Sequence, residues 1–111
     1  MPGLYMASYV FDKRAWETMS LFEQMGNIGS EVGRALAAKR RNDKQSTESA
    51  LYRGLDLIDF TAQLWVRRSP HRLKELLRAR ELFIQSVTTT REDKTLEPYF
   101  MQFAIAARLR R

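Results

Sequence analysis

One histidine and no cysteine limit the chemistry open to this chain of 111 residues. His71 follows Arg67 with three residues between them and Arg68 with two. Arginine and histidine together can act on a phosphodiester, but general acid–base work needs both groups placed on the reacting atoms, and this spacing does not assure that. No glutamate stands three residues before His71, so the Glu-x-x-His pairs with which helical bundles hold two metal ions are missing. No metal site or cofactor is expected, and His71 reads as a surface or capping side chain. Gly26-Asn-Ile-Gly-Ser-Glu-Val-Gly33 is glycine-rich. A phosphate-cradling loop, however, needs Gly-x4-Gly-Lys-Ser/Thr after a strand, and neither condition is met. Without cysteine, disulfides, thiolate metal sites and cysteine nucleophiles are excluded, and a cytoplasmic home is expected.

The same glycines carry structural information. Gly26, Gly29 and Gly33 lie inside an amphipathic stretch, where each costs roughly 0.8–1 kcal/mol relative to alanine. Their spacing puts them along one broad helical face. They are therefore expected to mark a close helix packing, within the fold or at an oligomer contact.

Four helices should position these residues. The first spans about Thr18 to Arg41, with a capping-box spacing at Ser20 and Glu23. Its stripe is Phe22, Met25, Ile28 or Gly29, Val32 and Leu36. The second spans about Thr47 to Val66, with Leu51, Leu55, Ile58, Ala62 and Trp65 inward and Gly54 as another close-packing point. Ser69-Pro70 starts the third, Ser69 as N-cap and Pro70 at the first position. It runs to about Val87 with Leu73, Leu76, Leu77, Phe83, Ile84 and Val87 inward. The fourth covers Leu96 to Leu109, with Leu96, Phe100, Phe103 and Ala107 on one face and Pro98 tolerated in its first turn. Short connections imply antiparallel neighbours. The expected fold is all-α: an antiparallel up-down-up-down four-helix bundle over residues 16–111. Residues 1–15 would form a short extended N-terminal arm, apolar and aromatic at first but without the basic n-region of a signal peptide. No apolar run approaches the roughly 18 residues of a membrane span.

Net charge is +6, which favours polyanionic partners. The bundle topology would collect Lys13, Arg14, Arg67, Arg68, His71, Arg72, Arg108, Arg110 and Arg111 at one pole, with few acids. The other pole would hold Lys39, Arg40, Arg41, Lys44, Arg91 and Lys94, offset by Asp43, Glu48, Glu92, Asp93 and Glu97. The arginine-rich pole suits forked contacts to phosphate, so these nine residues are the expected nucleic-acid-binding set. Arg80 falls on the apolar stripe of helix three and needs a partner, because an unpaired buried charge is costly. Asp59 lies at a similar height, and Glu31 and Arg34 near the same layer. A structural polar network of Glu31, Arg34, Asp59 and Arg80 is expected.

Four stretches carry a resemblance that covers residues 16–108. They are Trp16-Glu-Thr-Met-Ser-Leu-Phe-Glu-Gln-Met-Gly-Asn-Ile-Gly-Ser-Glu-Val-Gly-Arg-Ala35, Ala50-Leu-Tyr-Arg-Gly-Leu-Asp-Leu-Ile-Asp-Phe-Thr61, Arg72-Leu-Lys-Glu-Leu-Leu-Arg-Ala-Arg-Glu81 and Tyr99-Phe-Met-Gln-Phe-Ala-Ile-Ala-Ala-Arg108. The chain resembles small bacterial and archaeal helical proteins. In fold, size and basic character these are similar to two bundle families. One is encoded by intervening sequences in bacterial ribosomal RNA genes. The other is the accessory variability determinant of diversity-generating retroelements. The resemblance implies a non-enzymatic, basic homo-oligomer, such as a pentamer, that binds RNA or cDNA and a reverse transcriptase. It assigns no role to any single residue. Two alternatives stand beside it: a protein-docking or antitoxin-like helical module, and a ribonuclease of the HEPN class, whose arginine-to-histidine spacing Arg67 and His71 do not match.

Overall fold

The structure, a computed structural model, describes residues 12–109. These form five helices: α1 (Lys13–Thr18), α2 (Leu21–Arg40), α3 (Lys44–Arg68), α4 (Pro70–Thr88) and α5 (Leu96–Leu109). Most of the arm expected over residues 1–15 lies outside the described residues. Lys13, Arg14 and Ala15 within it are helical rather than extended.

The break between α1 and α2 is made by two caps. Asp12 accepts from the Ala15 amide to start α1. Ser20 and Glu23 form a reciprocal capping box that starts α2 afresh. The first helix expected from about Thr18 thus starts at Leu21 behind the expected Ser20–Glu23 capping box, and a short helix that was not expected precedes it. At the other end of α2, Asn42 adopts a positive φ of 61°. The Asn42 amide donates to Lys39 O and the Asp43 amide to Ala38 O, the paired pattern of a Schellman stop. Asp43 then caps the next helix by accepting from the Ser46 amide at 3.1 Å, so α3 begins at Lys44 rather than Thr47. Only Ser69 separates α3 from α4. Its side chain makes no capping bond, so Pro70 at the first position, with its fixed φ, carries that start instead.

Helix α2 packs most extensively on α3 and α5, and α3 also packs on α4, whereas α4 meets α5 only sparsely. Met25, Ile28, Val32 and Leu36 of α2 are buried with Ile58 and Trp65 of α3, Leu76 and Phe83 of α4, and Leu96, Phe100 and Phe103 of α5. Fully burying each such side chain is worth about 1.5–3 kcal/mol. The inward face of α3 is rotated from the expected stripe. Gly54 and Thr61 are buried, while Leu55 and Ala62 are half-buried. On α4, Leu77 is exposed rather than inward, and Ala79 and Ser86 take buried positions.

The glycines explain how closely these helices meet. A methyl built on Gly29 would lie 2.6 Å from Phe100 Cβ, and one on Gly26 would lie 3.2 Å from Ala104 Cα. Both therefore admit α5. One on Gly33 would come no nearer than 3.9 Å, to Glu97 Oε2, so Gly33 is not a close-packing point. A methyl on Gly54 would meet the Phe83 ring at 2.7 Å.

Candidate nucleic-acid interface

The expected basic residues depend on α1 and on the joint between α3 and α4. Buried polar bonds hold α1 in place. Trp16 Nε1 donates to Thr61 Oγ1 at 2.8 Å, and Gln24 Nε2 donates to the Trp16 carbonyl at 2.9 Å. Gln24 Oε1 in turn accepts from Trp65 Nε1 at 3.2 Å. Gln24 is 2% exposed and Thr61 0%, so each polar group removed from water has its bond made inside the fold. Sequence reasoning missed Gln24 and Thr61. Their signal was a polar residue in a buried register, at 24 beside Met25 and at 61 between Ile58 and Trp65.

On this base Lys13 and Arg14 are exposed. The Lys13 ammonium lies 5.5 Å from the Phe60 ring centroid, within cation–π range. Arg67 and Arg68 end α3, and His71 and Arg72 lie in the first turn of α4, beyond Ser69 and Pro70. Arg67, Arg68 and His71 are exposed. Arg72 is half-buried. It packs over the Phe103 ring at 5.7 Å and pairs with Glu75 at 3.7 Å. That contact answers why a cation sits at a helix start, where the dipole disfavours it. Arg108 is exposed near the end of α5, and Arg110 and Arg111 lie outside the described residues. Arg72 is thus the member of this set with an acidic partner. Lys13, Arg14, Arg67, Arg68, His71 and Arg108 form no ion pair among the described residues.

The cations at the end of α2 are bonded differently. The Lys39 ammonium donates to the Ser86 and Thr89 carbonyls and so satisfies the end of α4. Arg40 bonds Glu97 at 2.9 Å and also Glu92, and those two carboxylates raise its pKa, Glu97 foremost. Arg41 faces Asp43 at 3.7 Å. Asp93 holds the following turn by accepting from Thr95, whose hydroxyl keeps the carboxyl below its usual range.

The expected polar network divides in two. Arg80 Nε donates to Asp59 at 2.7 Å, but Arg80 is only half-buried, with its side chain 34% exposed. The helical register placed it at the edge of the stripe, not within it. Glu31 and Arg34 do not join that pair. Glu31 is buried and accepts from Arg34 Nη1 at 2.8 Å and Arg53 Nε at 2.7 Å. Arg53, absent from the expected network, bridges α3 to α2 there.

Between α4 and α5 a mainly apolar cavity of about 270 Å3 is lined by Ala79, Leu82, Leu96 and Tyr99, with Glu75 and Arg78 at its edge. Burial and the Glu75 carboxylate push the Tyr99 phenol well above its usual pKa. Among the described residues no three of His, Asp or Glu gather as a metal-binding group, and no helix is long and apolar enough to cross a membrane. Among the described residues the protein is all-helical, with Arg40 and Arg41 at the end of α2 facing carboxylates and Arg67 and Arg68 at the end of α3 forming no ion pair. No protein-family model matches the chain, and neither a curated protein nor a solved structure does.

Proposed function

We propose that this protein is a basic, non-enzymatic, oligomeric accessory factor. It would bind RNA or cDNA through phosphate contacts and work beside a reverse transcriptase in the cytoplasm. The observation that carries the nucleic-acid part is the contrast between the cations that end α2 and those of α1, the end of α3 and the end of α5. Arg40 and Arg41 are held by carboxylates and Lys39 by carbonyls, whereas Lys13, Arg14, Arg67, Arg68 and Arg108 keep their charge unspent. Unpaired arginines are what a phosphate backbone neutralises. The reverse transcriptase and the homo-oligomer rest on the family resemblance.

The finer architecture belongs to this proposal: an antiparallel up-down-up-down four-helix bundle of α2 to α5, with α1 strapped across it. Pairings between helices support it. Positions 26, 29 and 33 of α2 face 104, 100 and 97 of α5. Positions 24 and 31 face 65 and 53 of α3, and 54 and 59 of α3 face 83 and 80 of α4.

Fluorescence anisotropy with a single-stranded RNA tests the function. Log affinity should fall with log salt by about 0.7 for each phosphate contacted. The double substitution Arg67→Gln with Arg68→Gln should lower that slope by about 1.4. Salt-independent affinity would refute it. A second reading, a protein-docking module, draws on the apolar cavity between α4 and α5. It predicts that purified protein carries no nucleic acid before nuclease treatment and that the double substitution changes nothing.

A further inference from the structure

We infer that the cleft between the second half of α2 and the first turns of α3 is a site for a phosphate-class oxyanion. Arg34, Arg41 and Arg53 line it with Gln45, Ser46 and Ser49 around a volume of about 420 Å3. At roughly 30 Å3 per water, that space holds a diphosphate with part of its hydration. Arg34 and Arg41 stand seven residues apart, two turns of α2, and so share a face. Arg53 meets them from α3.

The buried carboxylate of Glu31 acts as a splint for two of the three. It takes one N–H from Arg34 and one from Arg53, which fixes both guanidiniums beside the cleft. A single carboxylate cannot neutralise two guanidiniums. Arg34 gives Glu31 one of its five N–H donors, and its side chain is 63% exposed. Arg41 has Asp43 at 3.7 Å. That carboxylate is already engaged by Ser46, whose bonds lower its pKa. Arg34 and Arg41 are the exposed members of the three, and each has one carboxylate nearby, Glu31 shared with Arg53 and Asp43 shared with Ser46. The cleft also opens at the first turn of α3, the positive end of that helix dipole. No described residue engages the Ser49 hydroxyl, which leaves it as a donor to an anion oxygen. Forked guanidinium donors plus a hydroxyl are the usual equipment for a phosphoryl group.

This site is separate from the α3–α4 joint. Arg53 and Arg67 are fourteen residues apart on α3, about 21 Å along its axis. It therefore does not depend on the proposed function. Titration of the whole protein with sodium pyrophosphate, followed by calorimetry and by the amide resonances of Ser46 and Ser49, tests it. Saturable one-to-one binding is expected. Arg34→Gln and Arg41→Gln should each weaken it by about tenfold or more, and Arg67→Gln with Arg68→Gln should leave it unchanged. Arg41 is on the surface, so its variant keeps the fold and remains informative if Arg34→Gln does not. An RNA oligonucleotide that displaces pyrophosphate only when 5′-phosphorylated would identify a terminal phosphate as the ligand. Failure of both oligonucleotides to displace it would identify a free diphosphate. Absence of saturation, or saturation that Arg41→Gln leaves intact, would overturn the inference.

Discussion

Gly29 offers the sharpest test of how α2 and α5 are held together. In Gly29→Ala the new methyl would lie 2.6 Å from Phe100 Cβ, against an optimum of about 3.5–4.0 Å between carbons. Phe100 is 1% exposed, and its Cβ moves only with its backbone. Helix α5 must therefore retreat by about 1 Å. Overpacking of that kind costs about 1–3 kcal/mol, while alanine returns about 0.8–1 kcal/mol of helix propensity. The net effect is a loss of about 0–2 kcal/mol. Gly33→Ala is the internal control, because its methyl meets nothing closer than 3.9 Å. It should stabilise by the full propensity gain of about 0.8–1 kcal/mol. The two variants, one turn apart on one helix, should thus differ by about 1–3 kcal/mol, with Gly33→Ala the more stable. Urea unfolding followed by tryptophan fluorescence measures this, with size-exclusion chromatography run beside it. If Gly29→Ala is as stable as Gly33→Ala, the close α2–α5 crossing is wrong. If Gly29→Ala folds normally but changes oligomer size, the glycine face packs between subunits instead.

Thr61→Val keeps the shape of a fully buried side chain and removes the acceptor that Trp16 Nε1 uses. It should cost about 1–3 kcal/mol, read as a lower urea midpoint. Glu31→Gln should cost a similar amount, about 1–3 kcal/mol, below the usual loss on breaking a buried pair because both arginines reach solvent. Adding Arg53→Gln should recover part of that loss in a double-mutant cycle. Asp43 is held below the ordinary 3.8 by Ser46, and Asp93 by Thr95. Their contribution is present above that pH and is lost as acid carries the protein down through their lowered values, so Asp43→Asn should melt with a shallower pH dependence below 3.8. Tyr99 has the opposite sense. Its folded pKa lies above the ordinary 10.0, so its contribution is intact below pH 10 and falls above it, and Tyr99→Phe should reduce the alkaline loss of melting temperature.

Much of the helical layout is legible in the residues themselves. Ser20 with Glu23, Pro70, and the 3–4 spacing around Met25, Ile28 and Val32 carry local signals that act over one or two turns. The errors fall where a local signal competed with a distant one. Asp43 ends one helix and caps the next, which moved the start of α3 back by a turn. Leu77 and Leu55 have the hydrophobicity for the interior but not the azimuth. Gly54 and Thr61 have the azimuth, because the Phe83 ring needs the room of one and Trp16 needs the oxygen of the other. The Asp59–Arg80 height could be counted along the helices, but its exposure could not, since exposure depends on how far α3 and α4 rotate about their axes.

The sequence by itself determined an all-helical, basic chain without cysteine, with two helix starts marked at Ser20 and Ser69-Pro70 and three of its five glycines on one helical face. These properties follow from residue type and short-range spacing. Only the tertiary structure decided which cations keep their charge. The sequence already sets Asp43, Glu92 and Glu97 at the same pole as Lys39, Arg40 and Arg41, but not which group each cation meets. The partners of Lys39 and Arg40 come from residues as far as 57 positions away, whereas Asp43 stands two positions from Arg41. Only packing brings such distant groups within hydrogen-bonding distance, and it leaves Arg67 and Arg68 at the end of α3 without them.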